Sequence, residues 1–179
     1  MTREQLEHIV RAAAANADTD EIVVVGSQAI LGSVPQPTQE VLVRSMEADV
    51  FPLKFPERSI LIDGAIGERS VFHESFGYYA HGVAPETAIL PEGWQDRLVA
   101  VRNENTRGCT GWCLELHDLA ASKLAAGREK DMEFLRGMRL EGLLEPGTLW
   151  NRIKATPFAT PEKAEAAAAR CERLLVSEA

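Results

Sequence analysis

Apolar residues at three- and four-residue intervals open the chain. Leu6, Ile9, Val10 and Ala13 share one helical face, which predicts a helix from Thr2 to about Ala15. The period changes after the turn-forming residues 16–20. Residues 21–25 contain the unbroken run Ile22-Val23-Val24-Val25, the pattern of a strand at the centre of a sheet covered on both sides. Gly26 and Ser27 end it, and residues 27–31 can start a short helix with Ser27 as N-cap. Residues 32–38 carry Pro35, Pro37 and two small residues and read as a loop. A second strand follows over Glu47 to Leu53, with Pro52 marking an edge or a bulge near its end. A helix is expected over Ser59 to Ile66. An aromatic-rich turn, Phe72 to Tyr79, then leads into a strand over Tyr78 to Val83. Further strands are expected at Arg97 to Arg102 and Trp112 to Leu116, separated by the polar turn from Asn103 to Gly111.

From His117 onward the pattern is helical. Asp118 suits the N-cap of a helix running to Ala126, and Gly127-Arg128 can end it. Glu129 to Leu140 forms the next helix, with Met132, Leu135 and Met138 as its apolar positions. Residues 143–153 form another, starting near Pro146. Thr160-Pro161-Glu162 opens the last, amphipathic helix, Lys163 to Val176. The predicted class is α/β (α+β), a small mixed sheet flanked by helices. Its organisation is a core over residues 1–116 and an all-helical C-terminal subdomain over 117–179 packed on it.

The 179 residues suffice for one ordinary domain with a real core. A formal net charge of -8 argues against a protein that coats nucleic acid through a broad basic surface, while leaving room for a small local basic site. Cys109, Cys113 and Cys171 are odd in number and irregularly spaced, so reduced thiols are expected rather than disulfides or a zinc site. A polar N-terminus and the absence of a long apolar run predict a cytoplasmic protein with no membrane partner.

The candidate chemistry lies in two pieces. Glu47 and Asp49 stand two apart on a predicted strand and so project to one face, close enough for a divalent cation to bridge. Acidic residues are depleted in strands, so two on one face beside Val50 and Phe51 require a reason, and Mg²⁺ supplies one. The Gly26-Ser27 turn offers backbone N–H groups that can cradle a phosphate. Together the pieces suggest a site for a nucleoside triphosphate and its metal. Plainer readings exist for each: a common strand-to-helix turn, and a solvated strand face. A dinucleotide-binding turn is discounted because only Gly26 and Gly32 remain of its glycine pattern, and a serine hydrolase because Ser27 lacks its flanking glycines. His73 and His81 read as hydrogen-bonded structural residues.

These residues resemble a known signature. Val25-Gly26-Ser27 followed by Ser45-x-Glu47-x-Asp49-Val50-Phe51 is similar to that of the DNA polymerase beta-like nucleotidyltransferase superfamily. The segment Lys123 to Asp131 resembles a second signature, found in the abortive-infection nucleotidyltransferase toxins of type IV toxin–antitoxin systems and their small bacterial relatives. The matches span roughly residues 22 to 136 and occur in the expected order. The resemblance implies an enzyme that transfers a nucleoside monophosphate from a triphosphate to an acceptor. It implies Mg²⁺ on Glu47 and Asp49, and nucleotide binding by Gly26, Ser27, Lys123, Arg128 and Lys130. Lys123 would act as a mobile positive charge on the triphosphate, and Asp131 would position the acceptor or act as a base. Lys123 and Lys130, seven apart, would share a helix face. The acceptor is a transfer RNA end, a protein hydroxyl or a small molecule, and a cognate antitoxin is an expected partner. A third carboxylate belongs near Tyr78 to Val83, where the chain has His81; Glu86 and Asp96 are the nearby acids. The alternative is a non-catalytic nucleotide-binding or protein-interaction module on a degenerate nucleotidyltransferase fold.

Overall fold

The computed structural model describes residues 1–176. The first helix, α1 (Arg3–Ala17), begins in a capping box. The Thr2 hydroxyl accepts from the Gln5 backbone N–H at 3.3 Å, and the Gln5 side chain accepts from the Thr2 N–H at 2.8 Å. It stops at Asp18, whose φ of 50° is left-handed. Its stripe of Leu6, Ile9, Val10, Ala13 and Ala17 is wholly buried. Each larger member contributes about 1.5–3 kcal/mol by leaving water, so this face rather than helix propensity holds α1 in place.

Five strands form one mixed sheet in the order β3-β2-β1-β5-β4. They are β1 (Glu21–Val24), β2 (Glu47–Pro52), β3 (Tyr79–Gly82), β4 (Val99–Val101) and β5 (Thr110–Cys113). The outer pairing β4–β5 and the inner pairing β1–β2 are antiparallel, whereas β1–β5 and β2–β3 are parallel. Central β1 is the expected apolar run, with Ile22, Val23 and Val24 fully buried. Pro52 is tolerated although β2 is not an edge strand. The register with β3 ends at Val50 opposite Gly82, so no neighbouring strand on that side asks Pro52 for the N–H it lacks.

Short helices α2 (Ile30–Ser33) and α3 (Glu40–Val43) follow β1, and α4 (Ser59–Ile66) and α5 (Val71–Phe76) lie between β2 and β3. Helix α4 crosses β3 so closely that a Cβ on Gly82 would lie 2.0 Å from the Ser59 carbonyl oxygen. The expected aromatic turn is in fact α5. The Ser70 hydroxyl caps it by accepting from the His73 N–H, and Gly77 at φ 75° ends it. Its rings pack with those of His8 and Tyr78, and the Tyr78 hydroxyl meets His8 Nδ1 at 2.8 Å.

The C-terminal part comprises α6 (Leu116–Ala126), α7 (Glu129–Leu140), α8 (Pro146–Lys154) and α9 (Pro161–Val176). The cap of α6 is Glu115, not Asp118. Its carboxylate accepts from the His117 and Asp118 N–H groups, which starts the helix earlier than expected and shortens β5. Asp118 is instead fully buried inside the first turn, held by Arg97 at 2.8 and 2.9 Å and by Arg152 at 2.9 Å. The strand expected from Arg97 shrinks to β4 because residues 94–97 form a 3₁₀ turn that delivers Arg97 to Asp118. Gly127, at φ 63°, ends α6, and a Cβ there would lie 2.2 Å from the guanidinium carbon of Arg170 on α9. Arg170 in turn donates to the Leu124 carbonyl at 2.9 Å. Cys109, Cys113 and Cys171 are free thiols. Among the described residues, no helix is long and apolar enough to cross a membrane.

Candidate active site

Antiparallel pairing brings the end of β1 to the start of β2. The Val25 N–H donates to the Asp49 carbonyl at 3.0 Å, which leaves Gly26 beside the Asp49 side chain. Gly26 has an ordinary extended backbone (φ -74°), so conformation does not demand glycine here. Space does: a Cβ would lie 2.0 Å from Asp49 Oδ2. The chain then enters a 3₁₀ turn, Ser27–Ala29, with the Ala29 N–H bonded to the Gly26 carbonyl at 3.0 Å. Ser27 is not the expected helix N-cap, because no side-chain cap bond forms and its hydroxyl points to Lys123 instead.

Glu47 and Asp49 are partly exposed on one pleat of β2, while Ala48 and Val50 between and after them are buried. The register with β3 sets Tyr79 opposite Glu47 and His81 opposite Asp49. The Tyr79 hydroxyl donates to Glu47 Oε2 at 2.8 Å. His81 Nδ1 lies 3.2 Å from Asp49 Oδ1 and 3.5 Å from Glu47 Oε1. One ligand atom from each of Glu47, Asp49 and His81 lies within 4.8 Å of the others. Burial and the charge of Glu47 push the Asp49 carboxyl above its ordinary value. Burial also acts upward on Glu47, but the Tyr79 hydroxyl, a bond shared with Asp49, and the charges of His81 and Lys130 outweigh it, and the net direction is down. The two carboxylates are thus pushed in opposite directions, and each raises the cost of ionising the other.

Across from the acids, α6 and α7 supply cations. Lys123 is buried, and its Nζ donates to Ser27 Oγ at 2.8 Å and to Asp131 Oδ1 at 3.4 Å, and sits 4.2 Å above the Phe134 ring centroid. These contacts engage the charge that the sequence reading assigns to a triphosphate. Burial lowers the Lys123 pKa, opposed by Asp131. Asp131 reaches back to accept from the Arg128 N–H at 3.3 Å and from Arg128 Nε at 2.7 Å, so it starts α7 and ties down two cations together. Burial acts upward on its carboxyl, but Arg128 and Lys123 pull it net below its ordinary value. Lys130 lines the same pocket but stands on α7, not on a face shared with Lys123, because Gly127 breaks the helix between them.

These walls enclose a pocket of about 570 Å³, whose lining includes Gly26, Ser27, Glu47, Asp49, Lys123 and Arg128. All eight residues singled out from sequence border this one space, with Lys130 and Asp131 completing the set. Three contributors stand outside the eight: His81, noted from sequence as the residue found where a third carboxylate belongs, Tyr79 and Phe134. The signal for the first two is the β2–β3 register, which pairs residues 47 and 79, and 49 and 81, and which neither segment reveals alone. Glu86 and Asp96, the nearby acids, are exposed in 3₁₀ turns and stand outside the Glu47–Asp49–His81 group. A larger, more open groove of about 710 Å³ between α8 and α9, flanked by Trp150 and Phe158, is mostly apolar and lies apart from this chemistry.

A family model described as "Nucleotidyltransferase of unknown function (DUF6036)" matches residues 4–172. No curated protein and no solved structure matches the chain.

Proposed function

The chain belongs to this family of nucleotidyltransferases, and from that premise we propose that it moves a nucleoside monophosphate from a nucleoside triphosphate to an acceptor hydroxyl. The acceptor oxygen forms a bond to the α-phosphorus, the bond from that phosphorus to the bridging oxygen breaks, and pyrophosphate departs. The observation that carries the reading is the meeting of the Gly26-Ser27 turn, the Glu47–Asp49 pair and Lys123 around one pocket.

Such a transfer needs little covalent chemistry and much charge neutralisation. Glu47 and Asp49 would hold Mg²⁺, which when bound neutralises phosphate oxygens and polarises the reacting phosphorus. The acids converge within bridging distance of one another, so the residues fit the ion. The Gly26-Ser27 turn cradles the terminal phosphates. Lys123 faces them as a charge preset by Ser27, Asp131 and Phe134, and such preorganisation avoids a cost at the moment of reaction. Arg128 and Lys130 widen the cationic wall. Asp131 serves as a positioning residue: a carboxylate engaged by two cations and held below its ordinary pKa is a poor base. The proton leaving the acceptor hydroxyl passes to solvent through the open side of the pocket, since Glu47 and Asp49 are committed to the ion.

In this reading residues 1–116 carry the acidic wall and the phosphate turn, and the helices α6 to α9 form a subdomain that closes the cationic wall. The acidic overall charge disfavours a long RNA footprint and favours an RNA end, a protein hydroxyl or a small molecule. The likeness of Lys123 to Asp131 to the abortive-infection toxins extends the reading to a cytoplasmic toxin with a cognate antitoxin, which predicts growth arrest on expression and rescue by a neighbouring gene product.

The test is incubation with each labelled triphosphate, Mg²⁺ and cell extract. Label transfer that Glu47→Ala or Asp49→Ala reduces by about a hundredfold or more supports the proposal. Triphosphate binding by calorimetry with no transfer to any fraction would favour a binding module instead. The observation behind that second reading is His81, standing where a third carboxylate is expected.

A further inference from the structure

We infer that His81 is a third metal ligand of this site and tunes it toward Mn²⁺ over Mg²⁺. The inference rests on the metal-dependent reading above and concerns which ion the chain's own donors prefer. An octahedral ion with bonds of about 2.1 Å holds neighbouring ligands about 3 Å apart. His81 Nδ1 stands 3.2 Å from Asp49 Oδ1 and 3.5 Å from Glu47 Oε1, a spacing already close to that of adjacent ligands on one ion. The β2–β3 register places His81 opposite Asp49, and without an ion the 3.2 Å approach is a hydrogen bond between the two side chains. Half of the His81 side chain is exposed, and it lines the pocket that Lys123 and Ser27 border.

The donor set decides the ion. Mg²⁺ takes oxygen ligands and gives up its waters reluctantly. An imidazole nitrogen is a softer donor that favours first-row divalent metals, and Mn²⁺ also accepts carboxylate and water oxygens. Two carboxylates with one imidazole therefore suit Mn²⁺ better than three carboxylates would. Tyr79 adds orientation, since its hydroxyl occupies Glu47 Oε2 and leaves Oε1 turned toward His81.

The experiment loads the intact protein with Mn²⁺ and inorganic tripolyphosphate, a probe without nitrogen, and records electron spin-echo modulation. Nitrogen modulation is expected from the wild type, to vanish in His81→Asp and to persist in His73→Gln. In parallel, the Mg²⁺ needed to displace half of the Mn²⁺ should fall in His81→Asp by about tenfold or more, the scale seen when even a residue supporting a ligand is lost. Bound Mn²⁺ without nitrogen modulation in the wild type, or unchanged competition in His81→Asp, overturns the inference and leaves the nucleotidyltransferase reading standing. No Mn²⁺ binding by the wild type in the presence of tripolyphosphate would overturn both.

Discussion

Ser27 and Lys123 lie 96 residues apart, and their side chains meet at 2.8 Å. The bond joins the turn after β1 to the helical wall, and under the proposed function it aims the charge of Lys123 before a nucleotide arrives. Lys123→Met should lower transfer by about a hundredfold or more. It should cost little stability, because Asp131 keeps Arg128 and the methionine can lie on Phe134. Turnover and the urea midpoint, measured on the same preparation, separate the two effects.

Gly26→Ala is expected to disable the site without unfolding the chain. The backbone at Gly26 suits alanine, so the whole effect comes from the collision with Asp49 Oδ2. Either the carboxylate rotates away or the strand ends part, at a cost of about 1–3 kcal/mol. Transfer should fall as far as in Asp49→Ala, while the thermal midpoint falls only modestly. Wild-type turnover in Gly26→Ala would contradict this geometry.

Asp49→Asn should stabilise the metal-free protein at neutral pH while abolishing transfer. The folded pKa of Asp49 is raised by burial and by Glu47, so its ionised form costs stability above that pKa, and the cost disappears as pH falls below the ordinary value of 3.8. Thermal midpoints in chelator should therefore be higher for Asp49→Asn at pH 7, with the gap closing toward pH 4.

The opposite sign holds for Asp131 and Glu7. Glu7 is buried on α1 and accepts from Asn103, Asn105 and Arg3 at 2.7, 2.8 and 2.9 Å, and these bonds outweigh the upward push of burial. Both folded pKa values lie below the ordinary ones of 3.8 and 4.5. Their stabilisation is present above those ordinary values and is lost as pH falls through the lower folded values. Glu7→Gln should flatten the acid limb of a stability–pH curve read from urea midpoints.

Asp118→Ala should be the most damaging change away from the site. It removes the carboxylate that accepts two hydrogen bonds from Arg97 and ion-pairs with Arg152. Breaking such a buried network costs about 3–5 kcal/mol. Replacing only Arg97 with methionine should cost less, since Arg152 still pairs with Asp118. Chemical denaturation of the two variants gives the comparison.

The elements with a strong period were legible: the α1 stripe, the valine run of β1 and the amphipathic α9 all stand where the pattern puts them. So were the two sides of the pocket, because Gly26, Ser27, Glu47 and Asp49 carry their chemistry in local spacing. What was hidden depends on pairings between distant segments. His81 marks only a missing carboxylate until β3 is laid beside β2, which puts its ring next to Asp49. Asp118 passes for a cap because nothing near it in sequence announces Arg97 or Arg152. Helix α5 was missed because its aromatic residues suit a turn as well as a single capped helical coil. The burial of Lys123 against Phe134 was likewise hidden, because it arises where α6 and α7 pack together.

The contact of Arg170 with Gly127 and the Leu124 carbonyl gives the last helix a remote responsibility. It touches no reacting group, yet it braces the hinge between the two helices that aim Lys123 and Arg128. Removing that guanidinium would leave the Leu124 carbonyl without its donor and the α6–α7 corner without its brace, while the acids on β2, which it does not touch, would keep their places.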